Sequence, residues 1–171
     1  DIMLGSPRAL DIGSFNGRHF SYVASCGAFT RASYSTPQLN KNILGRLAYL
    51  LEGINELPEL KPVRLRVETA DVTCEDDYIF VAISNSTSVA GILTLDSKLV
   101  DMNDGRFEIM LIKSPVTPVQ LMDIVHSLNT RNYKNPMIRF FSADHAVIHS
   151  PKAVDWTLDG EYMKGPETID V

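Results

Sequence analysis

The 171 residues carry 16 Lys and Arg against 21 Asp and Glu, a net charge of −5, with 44% hydrophobic and 22% charged residues. This is ordinary composition for one globular domain with a sizeable core, and it excludes disorder, collagen and a coiled coil as whole-chain readings. The acidic balance offers no footprint for a phosphate backbone and argues against a nucleic-acid partner, while Cys26 and Cys74 are too few for a disulfide framework or a four-ligand zinc site.

Both cysteines read as small buried hydrophobes of a reducing compartment. No apolar run approaches the roughly 18 to 20 residues needed to span a bilayer and no signal peptide opens the chain, which predicts a soluble, cytoplasmic protein. The chain begins at Asp1, not at a methionine, and ends at Val171 after the polar stretch Lys164-Gly165-Pro166-Glu167, which predicts a piece of a longer protein.

From Ala9 to Tyr22, apolar and polar residues alternate around Asn16-Gly17, a dipeptide suited to a tight hairpin turn, so two paired strands are expected. Val23 to Thr36 is rich in small residues and aromatics, with one charge, and reads as buried or as lining a pocket. Its Gly27 allows close approach of another backbone or a ligand. Between Lys41 and Leu57, residues Ile43, Leu44, Leu47, Leu50, Leu51 and Ile54 fall on one helical face, with Asn40 or Asn42 as cap and Pro58 as stop.

A strand with Val63, Leu65 and Val67 on one face follows, then turn residues 75 to 77 and an apolar strand from Tyr78 to Ile83. Ser84 to Val89 reads as a polar loop and Ala90 to Leu95 as a weak strand. The Asp-rich loop Asp101, Asn103, Asp104, Gly105 leads into a strand from Phe107 to Ile112. A second helix is predicted near Thr117-Pro118, with threonine as cap and proline at the first helical position. Three strands, Met137 to Ser142, Ala146 to Ser150 and Val154 to Leu158, complete the chain. Many short strands against two helices predict a single, mainly β domain over residues 1–171: an antiparallel β-sandwich with two or so crossover helices.

Two acidic segments carry chemistry. In Trp156-Thr157-Leu158-Asp159-Gly160-Glu161 an apolar strand ends in two acids flanking a glycine, and a hairpin turn is the plain reading of Asp-Gly. Asp101-Met102-Asn103-Asp104-Gly105 supplies hard oxygen ligands for Mg²⁺ or Ca²⁺. It is similar to a calcium loop of the D-x-[DN]-x-[DN]-G type but is one residue short and lacks the glutamate at the twelfth position. His19, His126, His145 and His149 form no H-E-x-x-H pattern and read as structural or surface residues. Cys26 has no basic neighbour in sequence to make it a thiolate. No glycine-rich phosphate cradle occurs, so any nucleotide must have most of its phosphate site elsewhere.

The order of these segments (ALDIGSFNGRHFSYVASCGAF, YSTPQLNKNILGRLAYLLEGI, YIFVAISNSTSVAGILTL, VDMNDGRFEIMLIK, WTLDGE) resembles the C-terminal domain of the diacylglycerol kinase catalytic family, over roughly residues 9 to 165. The family includes bacterial soluble diacylglycerol kinases, related lipid kinases and sphingosine kinases. The resemblance implies an absent N-terminal nucleotide-binding domain with a G-G-D-G-T motif, and an active site in the cleft between the two domains. It implies that Asp159 is the general base for a lipid hydroxyl attacking ATP, with Glu161 and Gly160 beside the nucleotide or its metal. It also implies a structural Mg²⁺ held by the Asp104 carboxylate and the main-chain carbonyls of Asp101 and Arg106.

The expected function is therefore that of the C-terminal half of an ATP- and Mg²⁺-dependent lipid kinase, inactive in isolation. Its expected partners are a diacylglycerol-like lipid, its own N-terminal domain and, through transient peripheral contact, a membrane, with a homodimer as an option. The competing readings are a noncatalytic lipid- or ligand-binding β-sandwich module and a hydrolase using Asp159 and Glu161 on one strand face. As a surface turn acid, Asp159 is expected to tolerate replacement by Asn without loss of fold.

Overall fold

In the computed structural model, residues 6–27, 61–89, 93–94 and 100–171 are described. The helix expected from Lys41 to Leu57 and the stretch from Ala28 to Thr36 lie outside them. The described residues form thirteen strands and one helix. The strands are β1 (Gly13–Phe15), β2 (Arg18–Phe20), β3 (Val23–Gly27), β4 (Val63–Glu68), β5 (Thr73–Ser84), β6 (Ser88–Val89), β7 (Leu93–Thr94), β8 (Phe107–Lys113), β9 (Ile138–Ala143), β10 (Val147–His149), β11 (Val154–Leu158), β12 (Glu161–Gly165) and β13 (Thr168–Asp170). The helix, α1, spans Pro118–Asn129.

The domain is mainly β, as the segment pattern predicts. Nine strands form one antiparallel sheet in the order β12-β11-β3-β5-β4-β10-β13, with β8 pairing β5 and β9. Strand β5 is its spine: Val63 of β4 lies opposite Tyr78, while Val23 of β3 and Glu108 of β8 both lie opposite Ser84. One sheet face gathers Leu65, Val67, Val81, Ile83, Ile109, Leu111, Ile148 and Trp156 into the main core. The β1–β2 hairpin closes over it, with Phe15 against Trp156 (ring centroids 5.0 Å apart) and Phe20 against Phe107 (5.3 Å). The side chain of Trp156 is fully buried, so its truncation to alanine would cost about 3–5 kcal/mol. The opposite face, with Ile79, Ala82, Met110 and Ile112, is covered by Leu121, Ile124, Val125 and Leu128 of α1.

Helix α1 begins as its sequence dictates. The Thr117 hydroxyl accepts from Gln120 N, and the Gln120 side chain accepts from the Thr117 backbone N–H, a capping box with Pro118 in the first turn.

Residues 75 to 77, expected to be a turn, instead lie inside β5. The reversal comes earlier, at Thr69–Val72, where Val72 N donates to Thr69 Oγ1 at 3.0 Å. The polar run does not break the strand because its acids face cations: Glu75 meets Arg64 at 2.9 Å and Asp76 meets Lys113 at 2.7 Å. Strands β12 and β13 add edges that the sequence pattern does not announce.

Candidate active site

The WTLDGE segment is a hairpin. Leu158 lies opposite Glu161, leaving Asp159 and Gly160 as a two-residue turn. Their φ angles are +51° and +89°, the positive pair that marks a type I′ turn and suits an Asp-Gly dipeptide. Any Cβ at Gly160 would face open space, so the turn is accessible from outside.

The Asp159 side chain is held across the sheet by the segment joining β2 to β3. Its Oδ2 accepts from Ser21 N at 2.7 Å and from Ser21 Oγ at 3.0 Å. Its Oδ1 accepts from Tyr22 N at 2.8 Å and Val23 N at 2.9 Å. The Asp159 backbone N–H in turn donates to Val23 O at 2.8 Å. Partial burial pushes the carboxyl up, but the backbone N–H groups of Ser21, Val23 and Tyr22, with the Ser21 hydroxyl, outweigh it and hold the group below the usual aspartate range. Asp159 is therefore ionised at neutral pH. Contrary to the expectation for a surface turn acid, it also stitches two parts of the chain together.

Glu161, on the other side of the turn, takes Arg18 of the β1–β2 hairpin at 2.8 Å, both side chains being exposed. Glu161 and Asp159 do not share the face of one extended strand, because Gly160 reverses the chain between them. The geometric premise of the hydrolase reading is thus removed.

The Asp101–Arg106 loop closes on itself. Asp101 accepts from Asn103 N at 3.2 Å, and Asp104 accepts from Arg106 N at 2.9 Å. Asp11 anchors it from outside, accepting from Gly105 N at 2.8 Å. The Arg106 guanidinium is turned to Ser142, so Arg106 has only its main-chain carbonyl to offer at the loop. Among the described residues no three His, Cys, Asp or Glu side chains gather to hold a metal. The Asp101 and Asp104 carboxylates, main-chain carbonyls and water are the donors available here, a hard-oxygen set that fits Mg²⁺, a cation that keeps several waters.

Sequence reasoning treats these two segments separately, yet hydrogen bonds join them. Asn85, just past β5, donates its backbone N–H to Tyr22 O at 3.0 Å. Its side-chain Nδ2 donates to Asp11 O at 2.9 Å and Met102 O at 3.3 Å. The path from Asp159 through Tyr22 and Asn85 to the Asp101–Arg106 loop places both at one end of the sheet.

Ser21, Arg18, Asn85 and Glu108 are functional-site candidates that sequence reasoning misses. Glu108 is 3% exposed, and its Oε2 has no hydrogen-bond partner. Burial pushes its carboxyl up to about 7, and the charges of Asp104 and Asp101 add to the effect. Ser84, opposite it on β5, is fully buried with its hydroxyl also unpartnered. Cys26 is fully buried and its thiol is pushed far up by that burial, which makes it inert, as expected; Cys74 is half-buried. Gly27 meets the backbone of β5 at Ile79. Among the described residues no helix is long and apolar enough to cross a membrane.

Comparison with known proteins bears on the family and the fold. Residues 23–171 match the family of the YegS C-terminal NAD kinase beta sandwich-like domain. The chain is 29% identical over 163 residues to a diacylglycerol kinase of Bacillus subtilis, covering 94% of this chain and 53% of that protein. It is 30% identical over 159 residues to a diacylglycerol kinase of Staphylococcus haemolyticus, covering 90% and 46%. The crystal structure of a putative diacylglycerol kinase from Bacillus anthracis superposes with a TM-score of 0.64 at 18% identity, over 95% of this chain and 54% of that one, and so shares its fold. The chain spans about half the length of these relatives. It belongs to the YegS C-terminal NAD kinase beta sandwich-like family, the C-terminal domain of the diacylglycerol kinase family.

Proposed function

We propose that this chain is the C-terminal half of an ATP- and Mg²⁺-dependent lipid kinase, which transfers the γ-phosphoryl group of ATP to the hydroxyl of diacylglycerol or a similar lipid. The observation that carries this reading is the accessible Asp159 carboxylate, kept ionised by backbone N–H donors at an open turn. Phosphoryl transfer has a loose transition state in which positioning and charge neutralisation supply most of the acceleration, so a carboxylate that orients the hydroxyl need not be strongly basic. Asp159 receives the hydroxyl proton, and Gly160 and Glu161 flank the nucleotide, with Arg18 holding Glu161 in place.

The phosphate cradle is assigned to an N-terminal domain outside this chain, so the isolated chain is expected to fold and yet be inactive. Where Mg²⁺ is bound, the Asp104 carboxylate and the carbonyls of Asp101 and Arg106 hold it, and it supplies charge that rigidifies the loop. Contact with the membrane is peripheral and transient, in a cytoplasmic protein.

A second reading, a noncatalytic lipid-binding module, is favoured by one feature. An open cavity of about 290 Å³ on the core side of the sheet is lined by the apolar Ile12, Ile83, Phe107 and Ile109 together with Asp11, Asp144 and His145. The two readings separate on the full-length protein, with labelled ATP and diacylglycerol in mixed micelles. Magnesium-dependent label in the lipid product is the kinase result, whereas lipid binding without transfer leaves only the module.

A further inference from the structure

Each carboxylate oxygen offers two lone pairs, and in Asp159 all four acceptor positions are taken. Three of the donors, the N–H groups of Ser21, Tyr22 and Val23, are backbone groups that cannot leave without unmaking the junction of β2 and β3. The fourth, the Ser21 hydroxyl, is a side-chain donor on an exposed residue. It can rotate about one bond and find water instead. An incoming hydroxyl can reach Asp159 only where this donor lets go, which is at Oδ2.

We propose that Ser21 is an exchangeable placeholder that tunes lipid binding in the kinase reaction: its hydroxyl occupies the Oδ2 position that the lipid hydroxyl takes on binding, and it is exchanged for that hydroxyl. The inference rests on the reading of Asp159 as the group that receives the lipid hydroxyl. In the reaction, the lipid O–H first replaces Ser21 Oγ–H as donor to Oδ2. The lipid oxygen then bonds to the γ-phosphorus, the bond from that phosphorus to the bridging oxygen breaks, and ADP leaves with the electron pair. The proton passes to Asp159 and from there to solvent. The three backbone donors stay in place throughout, so the carboxylate does not reorient as the substrate enters.

The test uses the full-length protein, with KM for diacylglycerol and kcat measured separately at saturating ATP and Mg²⁺. Ser21→Ala removes the competing donor and is expected to lower KM for the lipid about threefold, the size of one exposed hydrogen bond. Ser21→Thr keeps a hydroxyl and is expected to keep the parent KM. An unchanged or raised KM in Ser21→Ala overturns the proposal, as does a fall in kcat of about a hundredfold, which would make the hydroxyl an obligatory relay and not an exchangeable placeholder. Asp159→Asn is run in parallel. If it is inactive, a negative Ser21 result sinks this proposal alone; if it turns over normally, the reading of Asp159 fails and the Ser21 proposal with it.

Discussion

Asp159 and Glu108 are two carboxyls in one domain with opposite surroundings. Asp159 sits on an exposed turn and collects four donors, and its proton affinity is pulled below the usual range. Glu108 sits inside the sheet with one oxygen unpartnered, and burial raises its carboxyl to about 7. Exposure and charge thus run together at the turn, while in the sheet burial favours the neutral form. Burial raises the one carboxyl, and four hydrogen-bond donors lower the other in spite of its partial burial.

This contrast yields pH dependences of opposite sign. In Glu108 the folded state holds its proton more tightly than the unfolded chain, so stability falls as pH rises from the ordinary glutamate range through about 7. The loss is expected to reach about 3 kcal/mol, and urea unfolding at pH 4 and pH 8 should show it in the parent but not in Glu108→Gln. Equal pH dependence in both would mean that the buried carboxyl is solvated or paired in solution.

Asp159 works the other way. Its folded-state affinity for a proton is depressed, so its contribution is fully present above the ordinary aspartate range and is lost as pH falls below it. Asp159→Ala leaves the N–H groups of Ser21, Tyr22 and Val23 without their acceptor and is expected to cost about 2 kcal/mol near neutral pH. A cost below a few tenths would show that water replaces the carboxylate freely.

A smaller effect comes from the other hairpin turn. Asn16 and Gly17, at φ +49° and +82°, repeat the Asp159-Gly160 geometry. Here, however, the side chain both accepts from Asp170 N at 2.8 Å and donates to Thr168 O at 3.3 Å. Asn16→Asp sets a carboxylate against that carbonyl and should cost about 1 kcal/mol with lipid phosphorylation unaltered. Smallest is the loop effect: magnesium should raise the melting temperature of the parent by about 1–3 °C and that of Asp104→Ala not at all. A shift of equal size in both would place the cation elsewhere.

Much of this architecture is legible in the sequence. Asn16-Gly17 and Asp159-Gly160 mark their hairpins because few other dipeptides accept two positive φ angles. Thr117-Pro118 marks the start of α1 through its capping chemistry. The short edges β12 and β13 are not legible, because mostly exposed residues carry little hydrophobic signal. Residues 75 to 77 mislead because the cations that neutralise the acids, Arg64 and Lys113, come from neighbouring strands.

For the site, sequence identifies the acids but not their environment. The donors to Asp159 lie 136 to 138 residues away and are mostly backbone groups, which no side-chain pattern reports. Glu108 follows Phe107 in an apolar strand and gives no sign of its burial, which appears only in the folded sheet, where Ser84 of β5 lies opposite it.

The central claim is that the cradled Asp159 carboxylate receives the lipid hydroxyl. Its most direct test is the turnover of full-length Asp159→Asn with labelled ATP and diacylglycerol, under conditions where thermal unfolding shows the variant to be folded. The expected result is a loss of kcat of at least about a thousandfold, within the range for removal of a positioned proton acceptor. Turnover within a few-fold of the parent would contradict it.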